Sequence, residues 1–164
     1  MACICYGAIL ITYASTAVDE WMIQVGSLLA AGVLALPAAV NRELHSRIMG
    51  LRTFPLVSVG ACSYMLIGIA FTSPDQADTL ARVMQGILGG IGFIGGGAIL
   101  KNEDRVRGTA TAGCIWTLGA MGVACAMQQW VIAITLSAIT WLALTALFAA
   151  KQELDGENKR DGSD

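Results

Sequence analysis

Charge is scarce in this chain. Lys, Arg, Asp and Glu together make up 13% of its 164 residues, and the few there are stand in clusters. No acid interrupts the interior of any long apolar stretch, so no carboxylate pathway for a divalent cation is written into them. Histidine occurs once, at His45, with no second ligand near it in sequence, which argues against a metal site. The five cysteines, at 3, 5, 62, 114 and 125, have no metal-like spacing; the last three fall in apolar runs and read as small packing residues. G-x-S-x-G, H-E-x-x-H and a P-loop lysine are all missing, so the sequence gives no catalytic constellation and no cofactor motif. Its net charge of −2 says little about partners, and nothing in it points to nucleic acid.

Hydrophobic length is what the chain does have. Apolar residues are 55% of the total. Five stretches approach the roughly 20 residues that a bilayer-crossing helix needs: Met22–Val40, Phe54–Phe71, Arg82–Leu100, Thr109–Met127 and Trp130–Ala149. The expected fold is all-α, a polytopic transmembrane bundle of about five spans. Residues 1–21 form an apolar N-terminal segment of open placement. With no basic n-region they do not read as a signal peptide. They either lie at the outer surface, partly inserted, or form a sixth span turning tightly at Asp19-Glu20. Residues 22–150 form the membrane domain. Lys151–Asp164, polar and rich in Gly and Asp, reads as a disordered tail.

The basic residues orient this arrangement. Asn41–Thr53, Lys101–Gly108 and the tail hold three Lys or Arg each, leaving only Arg82 elsewhere. Five alternating spans place those three segments on one side, which the positive-inside rule makes cytoplasmic, C-terminus included. The opposite connections carry Asp19, Glu20, Asp75 and Asp78, with a turn expected at Pro74-Asp75. Trp21 marks the outer interface, and Pro37 is expected to kink the first span. The connection Lys101–Gly108 reads as a solvated loop.

Glycine is concentrated in one place. Gln85–Lys101 reads Q-G-I-L-G-G-I-G-F-I-G-G-G-A-I-L-K, with Gly86, Gly89, Gly90, Gly92, Gly95, Gly96 and Gly97. The pairs 86/90 and 92/96 have the small-xxx-small spacing of closely packed membrane helices. G-x-G-x-x-G also occurs here, but inside an apolar run with no strand before it and no acid about 20 residues on, so a dinucleotide site fails its context test. The expectation is that this third span is the seam of the bundle, closing against the Gly- and Ala-rich fourth span, and that Gly90→Leu would disrupt packing. Asp78 and Arg82, four apart with the acid first, read as an ordinary helical pair or as a polar site at the outer face.

Four stretches in order carry a resemblance. They are Asn41-Arg42-Glu43, Gly50-Leu51-Arg52-Thr53, Asp78–Leu100 with its G-I-G-F-I-G-G-G-A-I-L core, and Val106-Arg107-Gly108 through Trp116. Together they resemble the MgtC/SapB family of bacterial membrane proteins over residues 24–127. Asn41 stands where that family has an acid, and Ala110 where it has a threonine. The resemblance implies a multi-pass protein of the bacterial inner membrane. It also implies a non-enzymatic modulator of other membrane complexes, serving growth under magnesium limitation or survival inside host cells. The ATP synthase or a sensor kinase would be possible partners, and a homo-oligomer a possible state. Magnesium or other cation transport is the alternative. Asn41, Arg42, Glu43, Arg52, Asp78, Arg82, Arg107, Thr111 and Trp116 fall in the matched motifs and become candidate functional positions. Gly108 joins the seven glycines as a packing position.

Overall fold

In a computed structural model of the chain, the backbone is described at residues 2–45, 50–73, 77–102 and 105–161, and side chains at 19–44, 50–73, 78–101 and 106–146. The elements in order are α1 (Ala2–His45), α2 (Thr53–Phe71), α3 (Ala77–Gly97), β1 (Leu100–Asn102), β2 (Arg105–Arg107), α4 (Thr109–Ala126) and α5 (Trp130–Asp161). Three helical stretches are long and apolar enough to cross a membrane: Asp19–Leu44, Thr53–Phe71 and Thr109–Ala126; Trp130–Ala146 is a shorter apolar helix. α3 has the length, at 21 residues, but is not among the three. Its seven glycines, with Arg82 and Gln85, dilute its hydropathy. Large apolar side chains cover the outside of the bundle: Trp21, Phe71, Phe93 and Val131 are all at least 73% exposed. A bilayer is the solvent that suits such a surface.

α1 runs unbroken through Asp19 and Glu20 for 44 residues, so no turn is made at that pair. At 1.5 Å per residue it is about 66 Å long, roughly twice the hydrocarbon thickness of a bilayer. Among the residues with described side chains its apolar crossing is Asp19–Leu44, and the residues before it continue the same helix. α5 likewise continues as helix to Asp161, through the stretch whose composition predicts a disordered tail. Lys151-Gln152-Glu153-Leu154 is a run of good helix formers, which favours this extension. The connection expected as a loop is an antiparallel hairpin, pairing Leu100 with Arg107, Lys101 with Val106 and Asn102 with Arg105. The turn expected at Pro74-Asp75, and the side chains of Cys3, Cys5 and His45, lie outside the described residues.

The seam of the bundle is α4, not the glycine-rich α3. α4 packs against all four other helices, whereas α3 lies at the edge against α2 and α4. Ile115, Leu118, Met121 and Cys125 of α4 are at most 1% exposed, packed with Phe54, Cys62 and Met65 of α2. Two glycines make this closeness possible. A Cβ on Gly119 would run into the Ile91 side chain of α3, and one on Gly122 would run into the Ser58 carbonyl oxygen of α2. In α3, by contrast, only Gly95 has a neighbour, the Ala112 backbone of α4; Gly86, Gly89, Gly90, Gly92, Gly96 and Gly97 meet nothing within 4 Å. The expectation that these six pack within the chain is therefore corrected. Small-xxx-small spacing shows that a helix can be approached closely, not which side the neighbour takes.

Hydroxyls and amides tie the helices together where no water can. The Gln128 side-chain amide donates to Ser27 Oγ at 2.7 Å, joining the α4–α5 turn to α1. Ser137 Oγ donates to the Leu34 carbonyl at 2.7 Å, beside the point where Pro37 removes a donor from the α1 ladder. Thr140 Oγ1 and Thr117 Oγ1 lie 3.0 Å apart, joining α5 to α4.

Candidate functional site

The sequence motifs gather at one end of the bundle, where α1 ends, α2 and α4 begin and the hairpin turns. Glu43 is the link between the first two motifs. Its carboxylate oxygen Oε2 accepts the backbone N–H of Leu51 at 3.1 Å. Gly50, buried, faces the Glu43 backbone so closely that a Cβ there would stand 2.6 Å from Oε2 and 3.0 Å from the Glu43 nitrogen. Only glycine leaves that space. The Gly50 carbonyl then accepts the N–H groups of Thr53 and Phe54 and starts α2. The N-R-E and G-L-R-T motifs are thus two halves of one helix–helix corner. Arg52 occupies the N-cap position of α2 with its side chain exposed.

Gly108 starts α4 in the same economical way. Its φ is +90°, a left-handed conformation, and a Cβ on it would run into the Ala98 carbonyl oxygen. Its own carbonyl accepts the Ala112 N–H at 2.9 Å, the first bond of the helical ladder. The N–H groups of Thr109, Ala110 and Thr111 therefore have no intrahelical acceptor, and Gly108 has no side chain to cap them.

Arg42 comes from α1 toward the N-terminal half of α4, one residue before Glu43 and so turned about 100° away from it. Its guanidinium lies beside the Cys114 thiol of α4. The pairing fits the antiparallel register of the two helices. Ser27 meets Gln128 at the far end and Arg42 meets Cys114 here. Thr111 is one turn before Cys114 on the same buried side, and is 1% exposed. Arg42 Nε and Thr111 Oγ1 are both closed off from solvent with no hydrogen-bond partner; Ser58 Oγ, deeper between α2 and α4, is a third such atom. Among the described residues no carboxylate pairs with Arg42. Asn41 has a partner of its own. Arg107, exposed, lies immediately before Gly108. Among the described residues this end of the bundle is rich in donors and positive charge, with Glu43 its one acid, and is suited to oxygen acceptors.

The remaining candidates lie elsewhere. Asp78 and Arg82 open α3 at the opposite end, about 25 Å along the helix from Gly95, which touches α4 near its start. Both are exposed and no ion pair joins them, so the expected helical pair is not made. Trp116 is 53% exposed on the outer side of α4. Trp116 and Ala120 face outward, and the packed side runs through Thr111, Ile115, Leu118 and Gly122. Sequence reasoning missed Cys114 as the neighbour of Arg42, and missed the Ser27–Gln128 clip. The polar pair Gln128-Gln129 between two apolar runs was the one signal available for the latter. Cys62, Cys114 and Cys125 are free and buried.

Membrane-length helices, an apolar exterior and internal polar clips define a multi-pass α-helical membrane protein. The chain belongs to the MgtC family, whose model matches residues 28–152. It is 35% identical over 129 residues to Protein MgtC of Salmonella typhimurium, covering 79% of this chain and 54% of that protein. It is 38% identical over 100 residues to Protein MgtC of Brucella abortus, covering 61% and 39%. To Protein SrpB of Synechococcus elongatus it is 28% identical over 137 residues, covering 77% and 75%. The chain spans about half the length of the MgtC relatives or less. No solved structure matches it.

Proposed function

We propose that this chain is a non-enzymatic modulator of other membrane complexes, acting by lateral helix contact in the inner membrane. The observation that carries the reading is the open side of α3, where a Cβ added at any of six glycines would meet nothing from the rest of the chain within 4 Å. Three of them continue a heptad-like row with Gln85. Gln85, Gly89, Gly92 and Gly96 are spaced four, three and four apart, and all are exposed. A partner helix laid along this row could reach the backbone of α3, and Gln85 could exchange amide hydrogen bonds with it. The partner is a second membrane protein, with the ATP synthase or a sensor kinase as candidates from the family resemblance, or a second copy of this chain. Adaptation to low magnesium or intracellular survival is the setting that the resemblance supplies.

The test pairs Gly89→Leu and Gly92→Leu in the full chain, expressed at low magnesium. Loss of in-membrane crosslinks and of the growth benefit, with an unchanged melting temperature in detergent, is the expected result. Crosslinks and growth equal to the parent would reject the α3 surface. Magnesium flux through the purified protein in dye-loaded liposomes would reject the modulator reading in favour of transport.

A further inference from the structure

The start of α4 has an excess of donors that no acceptor balances among the described residues. Three backbone N–H groups, at Thr109, Ala110 and Thr111, are free of the helical ladder, and Gly108 offers no side-chain cap. They form the positive end of an 18-residue helix dipole. The Arg42 guanidinium lies beside Cys114, five residues after Thr109 in α4. A guanidinium within about two turns of a helix start adds positive charge to the positive end of the dipole, which an anion would offset. Two further observations are independent of the helix end. Thr111, 1% exposed, has a hydroxyl with no partner, and Arg42 Nε is likewise buried and unpartnered. Buried polar groups in folded proteins are almost always satisfied, and a missing ion is one standard reason when they are not. Glu43, the nearest acid in sequence, cannot serve, because its carboxylate is held by Leu51 N–H on another side of α1.

We propose that the junction of Arg42 with the first turn of α4 binds an oxyanion of the phosphate class. The anion sits against the exposed N–H groups of Thr109 and Ala110, and Arg42 turns its guanidinium to it. Thr111 donates its hydroxyl from the buried side. This is a helix-start anion site completed by an arginine from a neighbouring helix. A phosphodiester headgroup of an anionic lipid and free phosphate share this chemistry, and both are available at a membrane surface.

The experiment uses the full chain purified in neutral detergent, with thermal unfolding as the readout. The probes are inorganic phosphate, phosphatidylglycerol, and phosphatidylcholine as the zwitterionic control. A saturable rise in melting temperature with phosphatidylglycerol alone identifies a lipid headgroup, and a rise with inorganic phosphate as well identifies free phosphate. In either case the rise is abolished in Arg42→Gln, weakened in Thr111→Val and retained in Arg52→Gln. No rise with either anion overturns the site. So does a rise that survives Arg42→Gln, or one lost equally in Arg52→Gln, which would mean diffuse charge attraction. Should Arg42→Gln fail to fold, Thr111→Val decides. A valine of the same shape that leaves the full rise intact removes the hydroxyl from the site and overturns the proposal.

Discussion

An added Cβ at Gly122 would strike the Ser58 carbonyl oxygen and stand 3.1 Å from the Ala61 methyl, whereas one at Gly92 would meet empty space. The two glycines look alike in the sequence and differ in consequence by a single methyl. Gly122→Ala should cost about 1–3 kcal/mol, because backbone on α2 cannot swing aside as a flexible side chain would. Gly92→Ala should cost nothing and could stabilise by up to about 1 kcal/mol through helix propensity. Gly90→Leu falls with Gly92, against the expectation from spacing, since nothing within 4 Å of Gly90 would be displaced. Denaturant unfolding in detergent checks all three, and equal losses at Gly122 and Gly92 would mean that α3 packs differently. At Gly108 the penalty is conformational. A φ of +90° and the Ala98 carbonyl both oppose a side chain, so Gly108→Ala should cost about 1–3 kcal/mol in the same assay. The acceptor at Glu43 is milder. Glu43→Ala removes an exposed bond to Leu51 N–H and should cost about 1 kcal/mol, while Glu43→Gln, which keeps an oxygen there, should recover most of it.

Between helices, hydroxyl and amide groups do in lipid what water would do outside it. The Ser27–Gln128 and Ser137–Leu34 bonds anchor α1 to the α4–α5 turn and to α5. Their α1 ends, Ser27 and Leu34, are seven residues or about 10 Å apart along the helix. Each bond should contribute about 0.6 kcal/mol, the usual value for interhelical hydrogen bonds in membrane proteins. Ser27→Ala and Ser137→Ala should therefore be individually small and additive to within about 0.5 kcal/mol. A double-mutant cycle by unfolding in detergent measures this, and strong coupling would show that α1 moves as a unit when either is cut. At this scale the sequence was readable in part. The apolar lengths gave the helices, because backbone groups in lipid must bond within their own segment. The identity of the central helix was not readable. Glycine spacing in α3 and mixed Ala, Cys and Met content in α4 each permit close packing. Which of them is surrounded depends on contacts between residues far apart in sequence, such as Ile91 with Gly119 and Ser58 with Gly122. The corner of Glu43 and Gly50 was equally hidden, since neither residue type announces the other.

The bundle as a whole is polar in charge along its axis. Arg42, Arg52, Lys101 and Arg107 collect where α1 ends, α2 and α4 begin and the hairpin turns, with Glu43 among them, while Asp19, Glu20 and Asp78 lie at the other end with Arg82. The antiparallel register from Ser27–Gln128 to Arg42–Cys114 makes this partition spatial as well as sequential. Lys and Arg near the ends of short loops resist translocation, so the basic end should face the cytoplasm. The consequence is accessible to labelling because Arg52 and Asp78 are both exposed. With Cys3 and Cys5 replaced by serine, the three buried cysteines at 62, 114 and 125 should react slowly with a polar maleimide and give a low background. In intact cells, Asp78→Cys should label with a membrane-impermeant maleimide and Arg52→Cys should not, whereas both should label after the membrane is opened. Equal labelling of both in intact cells would place the two ends on one face of the membrane. That would break the antiparallel α1–α4 arrangement, and with it the junction of Arg42 with the start of α4.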